Sequence, residues 1–207
     1  MQGTLIVLSG FSGSGKGTII KRLMEKYDNY ALSVSVTTRQ PREGEEEGVN
    51  YFFRSQEEFD QMVKEDAFIE YASYVKHSYG TPKAFVTKKL EEARDVILEI
   101  EVQGALHVKE VMPEAISIFV TPPSGEELER RLSGRGTETP EVVADRMARA
   151  YEEADSMDQY DYLLINDDLE ECVDKLHELI MASHFRSIGN KELINDMKES
   201  LKAFRKE

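Results

Sequence analysis

Leu5-Ile6-Val7-Leu8-Ser9-Gly10-Phe11-Ser12-Gly13-Ser14-Gly15-Lys16-Gly17-Thr18 runs from an apolar strand through a glycine-spaced turn into a helix, and that order decides the fold. Glycines lack a Cβ, so consecutive backbone N–H groups can turn inward around an anion while the helix behind aims its partly positive N-terminus at the same point. Lys16 adds a full charge. The pattern is the phosphate loop G-x-x-x-x-G-K-[S/T] with one departure: Gly17 stands where a magnesium-binding hydroxyl is expected, and Thr18 follows one place later. The expected cradle for the polyphosphate of a nucleoside triphosphate is Gly10, Phe11, Ser12, Gly13, Ser14, Gly15, Lys16, Gly17 and Thr18, and Thr18 to Tyr27 reads as the helix.

Outward from this loop, short apolar strands alternate with helix-length segments, the pattern of a mostly parallel sheet covered by helices, so the expected class is a three-layer α/β fold. Its strands read as Leu5 to Ser9, Val96 to Glu101, Ile116 to Val120 and Tyr162 to Ile165, with Leu32 to Val36 leaving the core. Ser55-Gln56-Glu57-Glu58 and Ser124-Gly125-Glu126-Glu127 read as capping boxes, and Thr81-Pro82 and Thr139-Pro140 as an N-cap hydroxyl before proline at the first helical position. Two stretches break the alternation. From about 35 to 83 the text is rich in aromatic, Thr, Arg and Glu residues, which predicts a small mixed α+β insertion; Ser133 to Thr139 is a glycine-flanked loop that, with the helix after it, predicts a helical lid over about 133–156. One domain results, its core at about 1–34, 84–132 and 157–207. A helix from Leu169 to Ile188 is expected to end on Gly189 as a left-handed cap. Beyond it Ile194, Met197, Leu201 and Phe204 recur at helical spacing, a stripe suited to packing on its own core or against a second copy in a homo-oligomer.

The 207 residues carry 26 basic and 40 acidic side chains, a formal charge of −14 that opposes non-specific attraction to nucleic acid or an anionic membrane. Cys172 is the single cysteine, so no intrachain disulfide forms, and no apolar run approaches the roughly 18 residues of a membrane span. The first residues enter a strand directly, without a cleavable leader, and a cytoplasmic setting is expected. The acidic run Glu43 to Glu47 reads as a solvated loop, and the four histidines form no cluster.

A phosphate loop names the donor; the insertion offers an acceptor site. Arg39 and Arg42 lie three apart around Pro41 in an extended or turning segment, where two guanidinium forks can converge on one phosphate. Glu70 sits in the apolar segment Phe68-Ile69-Glu70-Tyr71. Glu99 and Glu101 close an apolar run, and strand alternation would put both carboxylates on one side near its carboxyl end, where open α/β sheets bind ligands.

Across nearly its whole length the chain resembles the guanylate kinase family. The phosphate loop, Ser33 to Arg42, Asn50-Tyr51-Phe52-Phe53, Phe68 to Tyr71, Tyr79-Gly80-Thr81, Glu99 to Gly104, Gly134 to Glu138 and Ile165 to Asp168 carry the resemblance in one order. It implies that ATP phosphorylates GMP, with dGMP a further acceptor, to give the diphosphate and ADP, on a core with a GMP-binding insertion and a mobile lid. It matches Arg39, Arg42, Tyr51 and Tyr79, with Ser35 nearby, to the GMP phosphate; Glu70, Thr81 and Glu101 to guanine; and Asn166 to the adenine side. Family members often carry aspartate at position 101 and serine at position 81. Guanine offers adjacent N1–H and N2–H donors to a carboxylate, whereas adenine offers an acceptor at N1, so buried carboxylates choose guanine.

Phosphoryl transfer needs alignment and positive charge, which assigns Lys16 to the β- and γ-phosphates and Arg135 and Arg146, with Arg131 as a third candidate, to the transferring group, and counts Arg39 on the acceptor phosphate with Lys16, Arg135 and Arg146 as catalytic. Magnesium is expected between the phosphates, held by them and by water, with Glu99 behind. Two other readings stay open: a kinase for a different nucleoside monophosphate, and a non-catalytic binding module of the same fold.

Overall fold

The computed structural model describes residues 2–74, 76–134 and 139–204. At its centre β1 (Leu5–Gly10) pairs in parallel with β7 (Asp95–Glu99) on one side and β8 (Ile116–Thr121) on the other. β2 (Tyr30–Leu32) and β9 (Tyr162–Ile165) extend the sheet to the order β2-β7-β1-β8-β9. Every pairing is parallel, so both faces must be covered. Ile6 and Leu8 of β1 pack with Ile19, Ile20 and Leu23 of α1 (Lys16–Lys26) and with Val173, Leu176 and Ile180 of α7 (Leu169–Ser183). Leu5 and Val7 point the other way and join a cluster supplied by α3 (Lys83–Glu91), α4 (Val102–Val111), α5 (Gly125–Ser133) and α6 (Pro140–Ala154). Strand alternation thus divides one apolar run between two cores.

A second sheet, in the order β4-β3-β6-β5, is built from β3 (Val36–Thr37), β4 (Phe52–Phe53), β5 (Phe68–Tyr74) and β6 (His77–Pro82), with α2 (Gln56–Lys64) between β4 and β5. It is mixed: β3 and β4 run parallel, while β3 with β6 and β5 with β6 run antiparallel. Val36, Phe59 and Phe68 form its small core.

Capping chemistry follows the sequence at three starts. Ser55 and Glu58 form a reciprocal box at α2, Ser124 accepts from the Glu127 N–H at α5, and Thr139 accepts from the Val142 N–H with Pro140 in the first turn of α6. Four expectations are corrected. Tyr30–Leu32 belongs to the core sheet, and the chain leaves only afterwards. Thr81 caps no helix: it lies in β6, Pro82 precedes α3, and the Thr81 hydroxyl is engaged across the strand pair. α7 stops at Ser183, five residues early, because Asn190 turns back to donate to the His184 and Arg186 carbonyls at 2.8 Å each; Gly189 ends a short 3₁₀ turn and is not left-handed. The terminal helix α8 (Lys191–Leu201) buries no side chain, and Leu193, Met197, Leu201 and Phe204 remain exposed, so it does not pack on the core.

One buried carboxylate ties the layers together at the far end of the sheet from the phosphate loop. Asp95, whose side chain is 2% exposed, accepts from the Thr4 N–H at 2.8 Å and the Asn29 amide at 3.1 Å, and pairs with His184 Nε2 at 2.8 Å. Removing it takes the acceptor from three partly buried groups. Asp95→Ala is expected to lower the unfolding free energy by about 3 kcal/mol, read as a shifted urea midpoint at unchanged slope.

Candidate functional site

The loop between β1 and α1 has the glycine-dependent geometry that an anion cradle requires. Gly10, Gly13 and Gly15 adopt positive φ, and side chains there would collide: a Cβ on Gly10 would lie 2.1 Å from the Val120 carbonyl oxygen, and one on Gly15 would lie 2.5 Å from Asn166 Nδ2. Ser12, Gly13, Gly15, Lys16, Gly17, Thr18 and Glu99 line a cavity of 420 Å³. Lys16 Nζ donates to the Gly10 and Phe11 carbonyls, at 2.7 and 3.1 Å, holding the ammonium at the loop's mouth. α1 begins at Lys16, two residues before the expected start, so the lysine belongs to its first turn. Gly17 has open space beside it and Thr18 is exposed. Asn166, buried after β9, donates to the Ser14 carbonyl at 2.8 Å and braces the loop from behind.

Glu99 ends β7 at the edge of this cavity; burial pushes its carboxyl up, and Lys16 draws it down. Glu101 corrects the sequence reading. β7 ends at Glu99, Ile100 turns, and Glu101 is the N-cap of α4, so strand alternation does not relate the two carboxylates. Its side chain is 68% exposed and is paired with Arg149 on α6.

On the second sheet, Glu70 and Thr81 face each other across β5 and β6, and the Thr81 hydroxyl donates to Glu70 Oε1 at 2.6 Å. Glu70 is 8% exposed, and burial raises its carboxyl above the ordinary range against the pull of Thr81 and His107. Gly104, in the first turn of α4, makes room for it: a Cβ there would sit 3.2 Å from Glu70 Oε2. The helix that starts after Glu101 therefore also lies against Glu70.

Arg39, Tyr51 and Tyr79 come together beside this pair. The Arg39 guanidinium lies 5.3 Å from the Tyr51 ring centre, the two tyrosine rings are 6.1 Å apart, and Tyr79, after Glu45, helps to raise the pKa of Arg39. Ser35 is half-buried at the edge of β3, its carbonyl accepting from the Phe52 N–H at 2.9 Å. Arg42 is exposed. The acidic run is not merely solvated, as the sequence suggested. Glu45 accepts from Arg39 Nη2 and from the Arg42 N–H, both at 2.8 Å, while Glu47 accepts from Arg54 at 2.7 Å and from the Phe53 N–H at 2.8 Å. Arginine-rich turns of this kind need local counter-charge to hold their shape.

In the third region Arg131 is engaged along its own helix, donating to Glu127 at 2.7 Å. Arg146 is half-buried on α6, and Arg135 lies outside the described residues. Glu153, also on α6, is raised by burial and senses both Lys16 and Glu101, so that helix lies within electrostatic reach of the phosphate loop and of the acid at the α4 cap. The sequence gives no site role to Glu45, Gly104, Arg149 or Glu153. Only Gly104 left a local signal, a glycine inside a helical pattern.

A phosphate loop closing the central strand of a parallel sheet, with a cationic pocket and buried acceptors on an inserted sheet, defines a P-loop phosphotransferase that acts between two ligands. The guanylate kinase family model matches residues 2–183. The guanylate kinase of Caldanaerobacter subterraneus subsp. tengcongensis is 53% identical over 198 residues, 96% of each chain, and that of Bacillus anthracis is 47% identical over 201 residues, 97% of this chain and 98% of its own. The crystal structure of guanylate kinase from Anaplasma phagocytophilum superposes with a TM-score of 0.71 at 34% identity, covering 93% of this chain and 94% of that one. The chain belongs to the guanylate kinase family.

Proposed function

We propose that the chain transfers the γ-phosphoryl group of ATP to GMP, with dGMP as a second acceptor, giving the nucleoside diphosphate and ADP. The observation that carries the base assignment is the buried Glu70 carboxylate beside Thr81, next to the Arg39–Tyr51–Tyr79 cluster: an acceptor for guanine's donors adjoining a cation for its phosphate. In this reading Gly10 to Thr18 cradle the ATP phosphates and Asn166 serves the adenine side while bracing the loop. Arg39, Arg42, Tyr51, Tyr79 and Ser35 take the GMP phosphate, and Glu70, Thr81 and Glu101 take the base. Arg39 is held by Glu45, and the GMP phosphate offers the same guanidinium a second anion. Arg135 and Arg146 approach the transferring group, whose charge spreads over three oxygens at the transition state.

A magnesium ion fits the donor set here as one held mainly by phosphate and water. No group of three or more His, Cys, Asp or Glu among the described residues forms a cage, Gly17 offers no hydroxyl, and Glu99 is the carboxylate lining the loop's cavity. When bound, the ion supplies positive charge to the β- and γ-oxygens. Three units make up the domain in this reading: a core, an acceptor insertion over about 35–83 and a lid over about 133–156. The exposed apolar face of α8 suits a second copy of the chain, a homo-oligomer. No helix among the described residues is long and apolar enough to cross a membrane, and a cytoplasmic setting fits ATP and GMP as substrates.

The test is ADP formation with GMP, dGMP, AMP, CMP and UMP in turn. GMP and dGMP are expected to support turnover and the others to fall lower by about 10⁴; equal use of AMP would overturn the base assignment. Arg39→Ala is expected to cut kcat/KM for GMP by about 10² with ATP affinity unchanged, because one of several phosphate contacts is lost on the acceptor side only. A matching loss of ATP affinity, measured by calorimetry, would contradict two separate cradles.

A further inference from the structure

Arg149 occupies a position that the phosphate chemistry does not account for. It lies one turn beyond Arg146 on α6, but its Nη2 is paired with Glu101 Oε2, on a different element and 48 positions away in sequence, while its Nε donates to Glu153 on its own helix at 3.1 Å. The two acids differ. Glu101 is 68% exposed at the start of α4, whereas Glu153 is 16% exposed and its carboxyl is raised by burial. Arg149 is thus anchored by the half-buried acid and extends its guanidinium to the solvated one.

We propose that Arg149 is a positioning residue for acceptor specificity: held by Glu153, it fixes the orientation of the Glu101 carboxylate for the base of the acceptor nucleotide. The proposal rests on the reading of Glu101 as a guanine contact and adds the group that makes an exposed side chain fit for that task. An unanchored glutamate at a helix start samples several rotamers, and ordering it on binding costs free energy; an arginine N–H already bonded to the carboxylate removes part of that cost beforehand. One carboxylate has acceptor capacity for about four hydrogen bonds, so an arginine N–H and the N–H donors of guanine can be accepted together. Arg149 also connects the base side of the site to α6, the helix that carries Arg146, through side chains alone.

Steady-state kinetics of the full chain with Arg149→Met, Arg149→Lys, Glu101→Gln and the Arg149→Met/Glu101→Gln double variant test this. Arg149→Met is expected to raise KM for GMP about fivefold, equivalent to about 1 kcal/mol and typical of an exposed ion pair at its strongest, with kcat and KM for ATP within twofold of the parent. Arg149→Lys is expected to recover most of the loss, and Arg149→Met is expected to add nothing once Glu101 is Gln. An unchanged KM for GMP in Arg149→Met would overturn the proposal, as would a lowered KM, which would make Arg149 a competitor of the base, or additive effects in the double variant. If Glu101→Gln alone leaves KM for GMP unchanged, the guanine role of Glu101 falls and this proposal falls with it. If Glu101→Gln raises KM and Arg149→Met does not, only the role of Arg149 is lost.

Discussion

Lys16→Ala is expected to lower turnover by about 10³ and to weaken ATP binding, with the chain still folded. The lysine is fixed by the protein itself: its ammonium donates to two carbonyls of the loop it serves, Gly10 and Phe11, at the mouth of the cradle. Charge that is already in place needs no rearrangement as the transition state forms, and this is the main source of its value in phosphoryl transfer. The lysine also draws down the pKa of Glu99 and of Glu153, so removing it leaves two crowded carboxylates to take up protons more readily. Folding should survive, because α1 is held through Ile19, Ile20 and Leu23, which face the sheet away from the loop. Single-turnover phosphoryl transfer, ATP calorimetry and a thermal melt together separate these effects. Full turnover in Lys16→Ala would remove the loop from the chemistry, whereas a collapsed melt would show that the variant had lost its fold instead.

The phosphate loop could be read from sequence because its chemistry is local: glycine spacing dictates positive φ, and positive φ dictates inward amides. The alternating strand β1 was legible for the same reason, since neighbouring residues serve opposite cores. Misreadings arose where a distant partner overrode a local signal. Thr81-Pro82 has the form of a helix start, but the hydroxyl finds a stronger acceptor in Glu70 across the strand pair. Val96 to Val102 alternates as a strand would, yet the turn at Ile100 and the start of α4 separate Glu99 from Glu101. Gly189 resembles a helix stop, while Asn190 closes α7 earlier with its own side chain. Glu45 and Arg149 lay beyond sequence reasoning because charged residues are common and their pairing is a property of the fold.

Glu70→Gln is expected to show a stability gain and a loss of function in the same molecule. Glu70 lies almost wholly out of water, its Oε1 bonded to the Thr81 hydroxyl and its Oε2 against Gly104, and its folded pKa is raised by burial. The sign follows from proton linkage. A pKa higher in the folded state than in the unfolded chain means that the folded state binds the proton more tightly, so stability declines as pH rises from the ordinary glutamate value through the raised one. At neutral pH the ionised side chain is therefore a net cost to folding, and glutamine, similar in shape and uncharged, removes it. Glu70→Gln should melt above the parent at pH 7, with the gap narrowing as pH falls toward the range where the parent's carboxyl is protonated. Guanine binding requires the form that folding disfavours. An amide turned to keep the Thr81 bond presents N–H groups to the N1–H and N2–H of guanine, donor against donor, and kcat/KM for GMP should fall by about 10³ while KM for ATP holds. Sites that store such a cost are where stabilising substitutions damage activity. Melting curves from pH 4 to 8 beside GMP and AMP kinetics test both halves. A variant that melts below the parent at neutral pH would show Glu70 to be a structural acceptor first, and unchanged GMP kinetics would remove it from the base site.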